Sequence, residues 1–167
     1  MSDEIQLALG KLVVAFSELE TAVASGIAEF FPLDSFSEVE LLANALSFRK
    51  SLDVLDALVR LRCTVPETIQ AWQKRMKEAS DLEDKRNSLV HSVWEWNVKE
   101  KDGVREVLLR RKRIVARRGR GRIAQDEIPS VQQIIDCGKQ MRRAALKLYE
   151  AAEIAANNGS FYSWYED

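Results

Sequence analysis

Residues 66–91 read PETIQAWQKRMKEASDLEDKRNSLVH, and this stretch decides the fold. Ile69, Trp72, Met76, Ala79, Leu82, Leu89 and Val90 recur at the three- and four-residue spacing of a helix with one buried face. Thr64 and Glu67 form a capping box ahead of it, with Pro66 tolerated in the first turn. A helix of this length needs partners of comparable length, and the chain on either side supplies them. Upstream, residues 3–31 form one long helix with Ile5, Leu9, Leu12, Phe16, Leu19, Val23, Ile27 and Phe30 on its stripe, ended by Pro32. Glu20 falls on that stripe. Ser35 and Glu38, or Ser37 and Glu40, cap a second helix through Val39, Leu42 and Leu46. Ser47-Phe48 marks a break, with Ser47 able to cap a further segment that ends near Cys63. Downstream, Ser130 caps a last helix through Val131, Ile134, Gly138, Met141, Ala145, Leu148, Ala152 and Ala155. Gly138, Ala145 and Ala152 allow close helix contact, and Asn157-Asn158-Gly159 ends that helix.

Between the last two long helices the period changes. Trp94, Trp96 and Val98 alternate with Glu95, Asn97 and Lys99, and Asp102-Gly103 is a two-residue turn signal. Val104 to Val115 returns as the second arm of a β-hairpin, with Gly119 and Gly121 near its tip or exit. The expected architecture is an all-α bundle of four to five helices with this hairpin inserted, as a single domain over 1–167. Residues 93–122 form the hairpin and basic insertion, and 157–167 an aromatic tail with Phe161, Tyr162, Trp164 and Tyr165.

Composition excludes several classes. The 167 residues are 46% hydrophobic and 31% charged, with 7 Gly and 3 Pro, a globular mix rather than a disordered or loop-rich one. No uncharged stretch is long enough for a transmembrane helix, and Asp3 and Glu4 are unlike the basic start of a secretory signal. Two distant cysteines, Cys63 and Cys137, point to a reducing, cytoplasmic setting without a disulfide framework. One histidine and two cysteines argue against a zinc site, and no cofactor is expected. The net charge of −1 conceals an asymmetry: residues 110–122, RRKRIVARRGRGR, hold eight basic and no acidic residues. The remainder has 17 basic against 26 acidic residues, a body of −9. Arg110, Arg111, Lys112, Arg113, Arg117, Arg118, Arg120 and Arg122 therefore suit a polyanion, with nucleic acid the first candidate and RNA the better fit. Trp94 and Trp96 beside them suit base stacking. A solvated loop is the alternative. Gly119 and Gly121 disfavour a DNA-reading basic helix.

At about 100° per residue, Arg86 falls inside the apolar stripe between Leu82 and Val90. Asn87 and His91 stack as an i, i+4 pair, as do Glu83 and Asn87. A guanidinium on an inward face needs a carboxylate or an anion. One reading is structural: Arg86 pairs with Glu20, and His91 complements the helix dipole. The other is a site for phosphate chemistry.

The run Arg86-Asn87-Ser88-Leu89-Val90-His91 resembles the R-x4-6-H motif of the HEPN superfamily, in the form with a polar residue after the Arg. Its place at the end of a long helix, after two amphipathic helices and before another, fits the same family over residues 3–92 and 128–156. The resemblance implies a helical bundle that dimerises so that two motifs face each other. It also implies metal-independent endoribonuclease activity, in many members as toxins or antiviral effectors, while other members have lost catalysis. By position, Arg86, Asn87 and His91 are the implied catalytic residues. Apart from the resemblance, the helical pattern offers Glu20 and Glu83 as candidate supporting carboxylates. One branch carries a Tyr two residues after the His, where nucleotidylation controls it. Here that position is Val93.

The chemistry is coherent without a metal. RNA carries its own nucleophile, the 2′-OH. Imidazole, with an ordinary pKa of about 6.5, can accept that proton or supply one to the 5′-oxygen. Arg suits the phosphate oxygens as charge develops. One motif holds one His, so a homodimer supplies both acid and base. The expected partners are RNA, a second copy of the chain, and an antitoxin or regulatory protein, with no membrane. The alternative is a non-catalytic dimeric module of the same fold that binds RNA or a partner protein.

Overall fold

The computed structural model describes residues 3–31, 36–91, 93–101, 104–117, 120–126 and 129–158 (for the strands, their backbone). Five helices build the body: α1 Asp3–Ala28, α2 Phe36–Asn44, α3 Phe48–Arg62, α4 Pro66–Val90 and α5 Val131–Asn158. Between α4 and α5 lie β1 Val93–Lys101, β2 Val104–Arg117 and β3 Arg120–Asp126.

Two long helices, α1 and α5, form the spine. A Cβ built on Gly138 would lie 3.7 Å from the Cβ of Ala15, and one on Gly26 would lie 3.1 Å from that of Ala152. Both sets of contacts advance together along the chain, so α1 and α5 run parallel. Parallel neighbours cannot be joined by a short loop, and α2, α3 and α4 occupy the return. The small residues of α5 thus serve close contact with α1, and Gly26 carries that contact on to Leu55 of α3, 3.2 Å from its Cβ position. The core between them holds Leu12, Leu19, Leu52, Leu55, Trp72 and Met141, each almost fully buried. Trp72 keeps its polar edge satisfied by donating Nε1–H to Asp56 Oδ1 at 3.0 Å.

Helix ends correct the sequence reading in places. Ser130 caps α5 as expected: its Oγ accepts from Gln133 N at 3.1 Å, and its own N–H donates to Gln133 Oε1 at 2.7 Å. Ser47 holds the cap position of α3 without a side-chain cap bond, its carbonyl accepting from Ser51 N at 3.0 Å. The Thr64–Glu67 box does not form. Val65 is the N-cap of α4 and Pro66 opens it, because a proline in the first turn needs no N–H partner and already has helical φ. Leu42 and Leu46 do not face inward. Both are exposed, and Ala43 takes the buried place on α2, since a nine-residue helix lying across α1 brings only a narrow edge to it.

The two-arm hairpin gives way to a three-stranded antiparallel sheet in the order β1-β2-β3. The register sets Glu95 opposite Arg110, Lys99 opposite Glu106, Glu100 opposite Arg105 and Arg111 opposite Asp126. Opposite charges at paired positions favour this pairing over its slips. The second arm runs two residues past Val115, and 120–126, expected as tip or exit, is a strand of its own. Asp102, Gly103, Arg118, Gly119 and the tail from 159 onward lie outside the described residues. The sheet leaves and rejoins the body at one end: Ser88 and Leu89 of α4 line the same recess as Pro129 and Gln133 at the start of α5. Among the described residues no helix is long and apolar enough to cross a membrane. Cys63 and Cys137 are free and buried.

Candidate functional site

The end of α4 that adjoins the sheet carries Arg86, Asn87 and His91. His91 closes the helix, its backbone N–H bonded to Asn87 O at 3.1 Å. With both residues on one helical edge, a single guanidinium reaches the two side chains. Arg86 Nη1 donates to Asn87 Oδ1 at 2.9 Å and lies 3.2 Å from His91 Nε2. Arginine can only donate, so a hydrogen bond across this distance has His91 Nε2 as its acceptor. Asn87 is oriented by the same group, with Oδ1 toward Arg86 and its amide nitrogen turned away. Sequence spacing put Asn87 and His91 on one edge of the stripe and Arg86 within it, and the structure joins the three.

Arg86 is half-buried. Its Cζ lies 4.7 Å from the ring centroid of Phe16 on α1, a cation–π contact that supports a partly desolvated guanidinium. Phe16 is in turn fixed by Phe48 of α3, ring centroids 4.9 Å apart. Among the side chains described, those of the five helices, none forms an ion pair with Arg86, and its buried Nε has no hydrogen-bond partner. A half-buried cation of this kind has the chemistry to hold an anion.

The expected Arg86–Glu20 ion pair does not form. Glu20 sits one helical turn past Phe16, on an exposed edge of α1, because the apolar stripe passes to its side at that turn. It lines a recess of about 120 Å³ with Asn44, Leu46, Phe48 and Ser51. Burial within this recess pushes its carboxyl above the usual range, the Arg86 charge pulls it down, and the Glu83 charge pushes it up. Glu20 is therefore an electrostatic neighbour of Arg86 without being its partner. Because the residue as a whole is exposed, solvent screens these interactions.

Glu83 has a different partner. Its side chain is 13% exposed, and Oε2 lies 3.0 Å from Arg49 Nη2 on α3. The two are close enough for an ion pair, although Oε2 accepts no aligned hydrogen bond. Arg49 also meets Asp84 Oδ1 at 3.2 Å and the hydroxyl of Ser80. One guanidinium thus holds the side of α4 one turn before Asn87. Sequence reasoning missed Arg49 and the role of Phe16. Phe16 looked like any core aromatic, and Arg49 is joined to α4 by contacts 31 to 35 residues away, which no local pattern signals.

The basic positions fall on the sheet. Arg110, Arg111, Lys112, Arg113 and Arg117 belong to β2, and Arg120 and Arg122 to β3. β1 begins two residues after His91, so the chain passes directly from the trio into these strands. Among the described residues, no group of three or more His, Cys, Asp or Glu is gathered as a metal would require. On the other side of α4, Lys85, Ser88 and Leu89 line a recess of about 440 Å³ against α5, away from the trio. No family model matches this chain, and neither a curated protein nor a solved structure does.

Proposed function

We propose that this protein is a metal-independent endoribonuclease of the HEPN type. In this reading it acts as a homodimer, with a toxin or antiviral-defence role as its setting. The observation that carries the reading is the joined trio: Arg86 between Asn87 at 2.9 Å and His91 at 3.2 Å, with no ion pair to it among the side chains described.

RNA phosphate entering the site takes the unused donors of Arg86. As the guanidinium turns to the phosphate oxygens it releases His91 Nε2, whose lone pair accepts the proton of the 2′-OH. The 2′-oxygen attacks phosphorus, the bond from phosphorus to the 5′-oxygen breaks, and Arg86 stabilises the charge on the equatorial oxygens. A second ring, the partner's His91 across the two-fold axis in its protonated imidazolium form, gives its proton to the departing 5′-oxygen. The products are a 2′,3′-cyclic phosphate and a 5′-hydroxyl, and DNA, lacking the 2′-OH, survives. The basic strands hold the RNA backbone by charge, and the composite site makes dimerisation a condition of activity.

Purified protein incubated with RNA in EDTA tests this reading. Cleavage that EDTA leaves intact and His91→Ala removes supports it. RNA bound but not cleaved by the unaltered protein replaces it with a non-catalytic RNA-binding module.

A further inference from the structure

Two acidic residues stand within reach of Arg86, yet neither pairs with it. Glu20 is on the neighbouring helix. Glu83 is three residues earlier on the same helix, the spacing at which acidic and basic side chains ordinarily meet. Glu83 is also mostly buried, so it gains more from a cationic partner than a surface carboxylate does. What withholds it is Arg49: Nη2 lies 3.0 Å from Glu83 Oε2 and 3.2 Å from Asp84 Oδ1, and the same guanidinium meets Ser80. Glu83 Oε2 accepts no hydrogen bond even so, so the carboxylate is held by charge and is not locked by geometry. On the other side, Arg86 Nε is buried without a partner.

We infer that Arg49 is a positioning residue that engages Glu83 and so keeps Arg86 unpaired and open to an anion. The inference rests on the reading that Arg86 receives phosphate, and it adds a residue outside the motif that controls whether it can. Without Arg49, Glu83 keeps a cation three residues on along α4, Arg86. An i, i+3 ion pair would form on α4, neutralise the guanidinium and draw Nη1 away from Asn87 and His91. The loss would come from a competing internal carboxylate and not from unfolding, so it should be reversed by removing that carboxylate.

The test uses the full chain and the Nε–H signal of Arg86 in 1H–15N spectra, assigned by its disappearance in Arg86→Lys. Without any added anion, Arg49→Ala should move this signal, and Arg49→Ala with Glu83→Gln should return it. That arm involves no RNA chemistry. Inorganic phosphate should shift the signal in the unaltered protein. It should require about tenfold more in Arg49→Ala, the scale of a lost hydrogen bond to a charged group, and return to the original range in the double variant. RNA cleavage should follow the same order. Arg49→Gln, which keeps a donor for Ser80 but not the charge, serves if the alanine variant loses its helical spectrum. An Arg86 signal that Arg49→Ala leaves in place, or that the double variant fails to restore, overturns the inference. Signals that move as expected in a protein that cleaves no RNA leave Arg49 as the residue freeing Arg86 and remove the nuclease reading instead.

Discussion

Charged side chains in this protein are sorted by which partner reaches them first. Arg49 engages Glu83, Arg86 is left to Asn87, His91 and the face of Phe16, and Glu20 stays at the surface. Because Glu20 has no ion pair to lose, Glu20→Gln should change stability by no more than about 0.5 kcal/mol in urea unfolding. A loss of several kcal/mol would mean that Glu20 does pair with Arg86. The sign of its pH effect follows from its raised pKa. The folded state favours the protonated carboxyl, so the contribution is full below the usual carboxylate range and fades as pH rises through the raised value. Glu20→Gln should therefore gain slightly on the unaltered protein between acid and neutral pH. Tyr149 obeys the same logic at the alkaline end. Its hydroxyl donates to Glu29 Oε1 at 2.7 Å, which with burial and the Glu29 and Glu153 charges pushes its pKa up to about 12. Stability from this bond is full below pH 10.0 and is lost as pH rises through about 12. Ultraviolet titration should show Tyr149 ionising late, and Glu29→Ala should bring it back toward 10.0.

Close packing of α1 against α5, with α3 behind, depends on residues that lack side chains. A methyl at Gly26 would meet Ala152 at 3.1 Å and Leu55 at 3.2 Å, and both neighbours belong to other helices of the core. Gly26→Ala should cost about 1–3 kcal/mol in overpacking. The better helix propensity of Ala offsets about 0.5–1 kcal/mol of that. Gly10, on the same helix, has nothing within 4 Å of its Cβ position. There the propensity acts alone, and Gly10→Ala should stabilise by about 0.5–1 kcal/mol. Opposite shifts of the urea midpoint in these two variants would confirm that the α1 interface, and not glycine itself, sets the difference. Equal shifts would contradict the packing.

At the scale of the whole molecule, an acidic helical body carries a basic sheet inserted at the end where the candidate site lies. Neutralising Arg117, Arg120 and Arg122 together with Arg118 should weaken RNA binding and flatten its dependence on salt, because fewer counterions are released. On the proposed reading the strand charges act on affinity and the motif on chemistry, so cleavage at saturating RNA should persist. Arg86→Ala should do the reverse, abolishing cleavage with binding largely kept. A variant of the four arginines that binds normally across a salt titration would leave the strands without an RNA role. The composite site also requires a dimer. Light scattering at micromolar concentration should give twice the chain mass, and a monomer there would remove the paired imidazoles from the mechanism.

Local periodicity and turn chemistry determined the helices and the approximate place of the strands. The 3.6-residue stripe of α4, the Ser130 cap and the meeting of Arg86, Asn87 and His91 all follow from rotation along a single helix. They need no knowledge of the rest of the chain. What only the tertiary structure decided is which carboxylate meets which guanidinium. Helical projections put Glu20 on the apolar stripe of α1 and Glu83 one turn before Arg86 on α4, and neither projection says which of them Arg86 meets. Their fates are set by Arg49, which arrives from α3, and by the edge of α1 that happens to face solvent. The same holds for the parallel packing of α1 and α5 and for the exposure of Leu42. Each depends on distances between segments remote in sequence, and the energy that ranks those arrangements is absent from any window short enough to show a period.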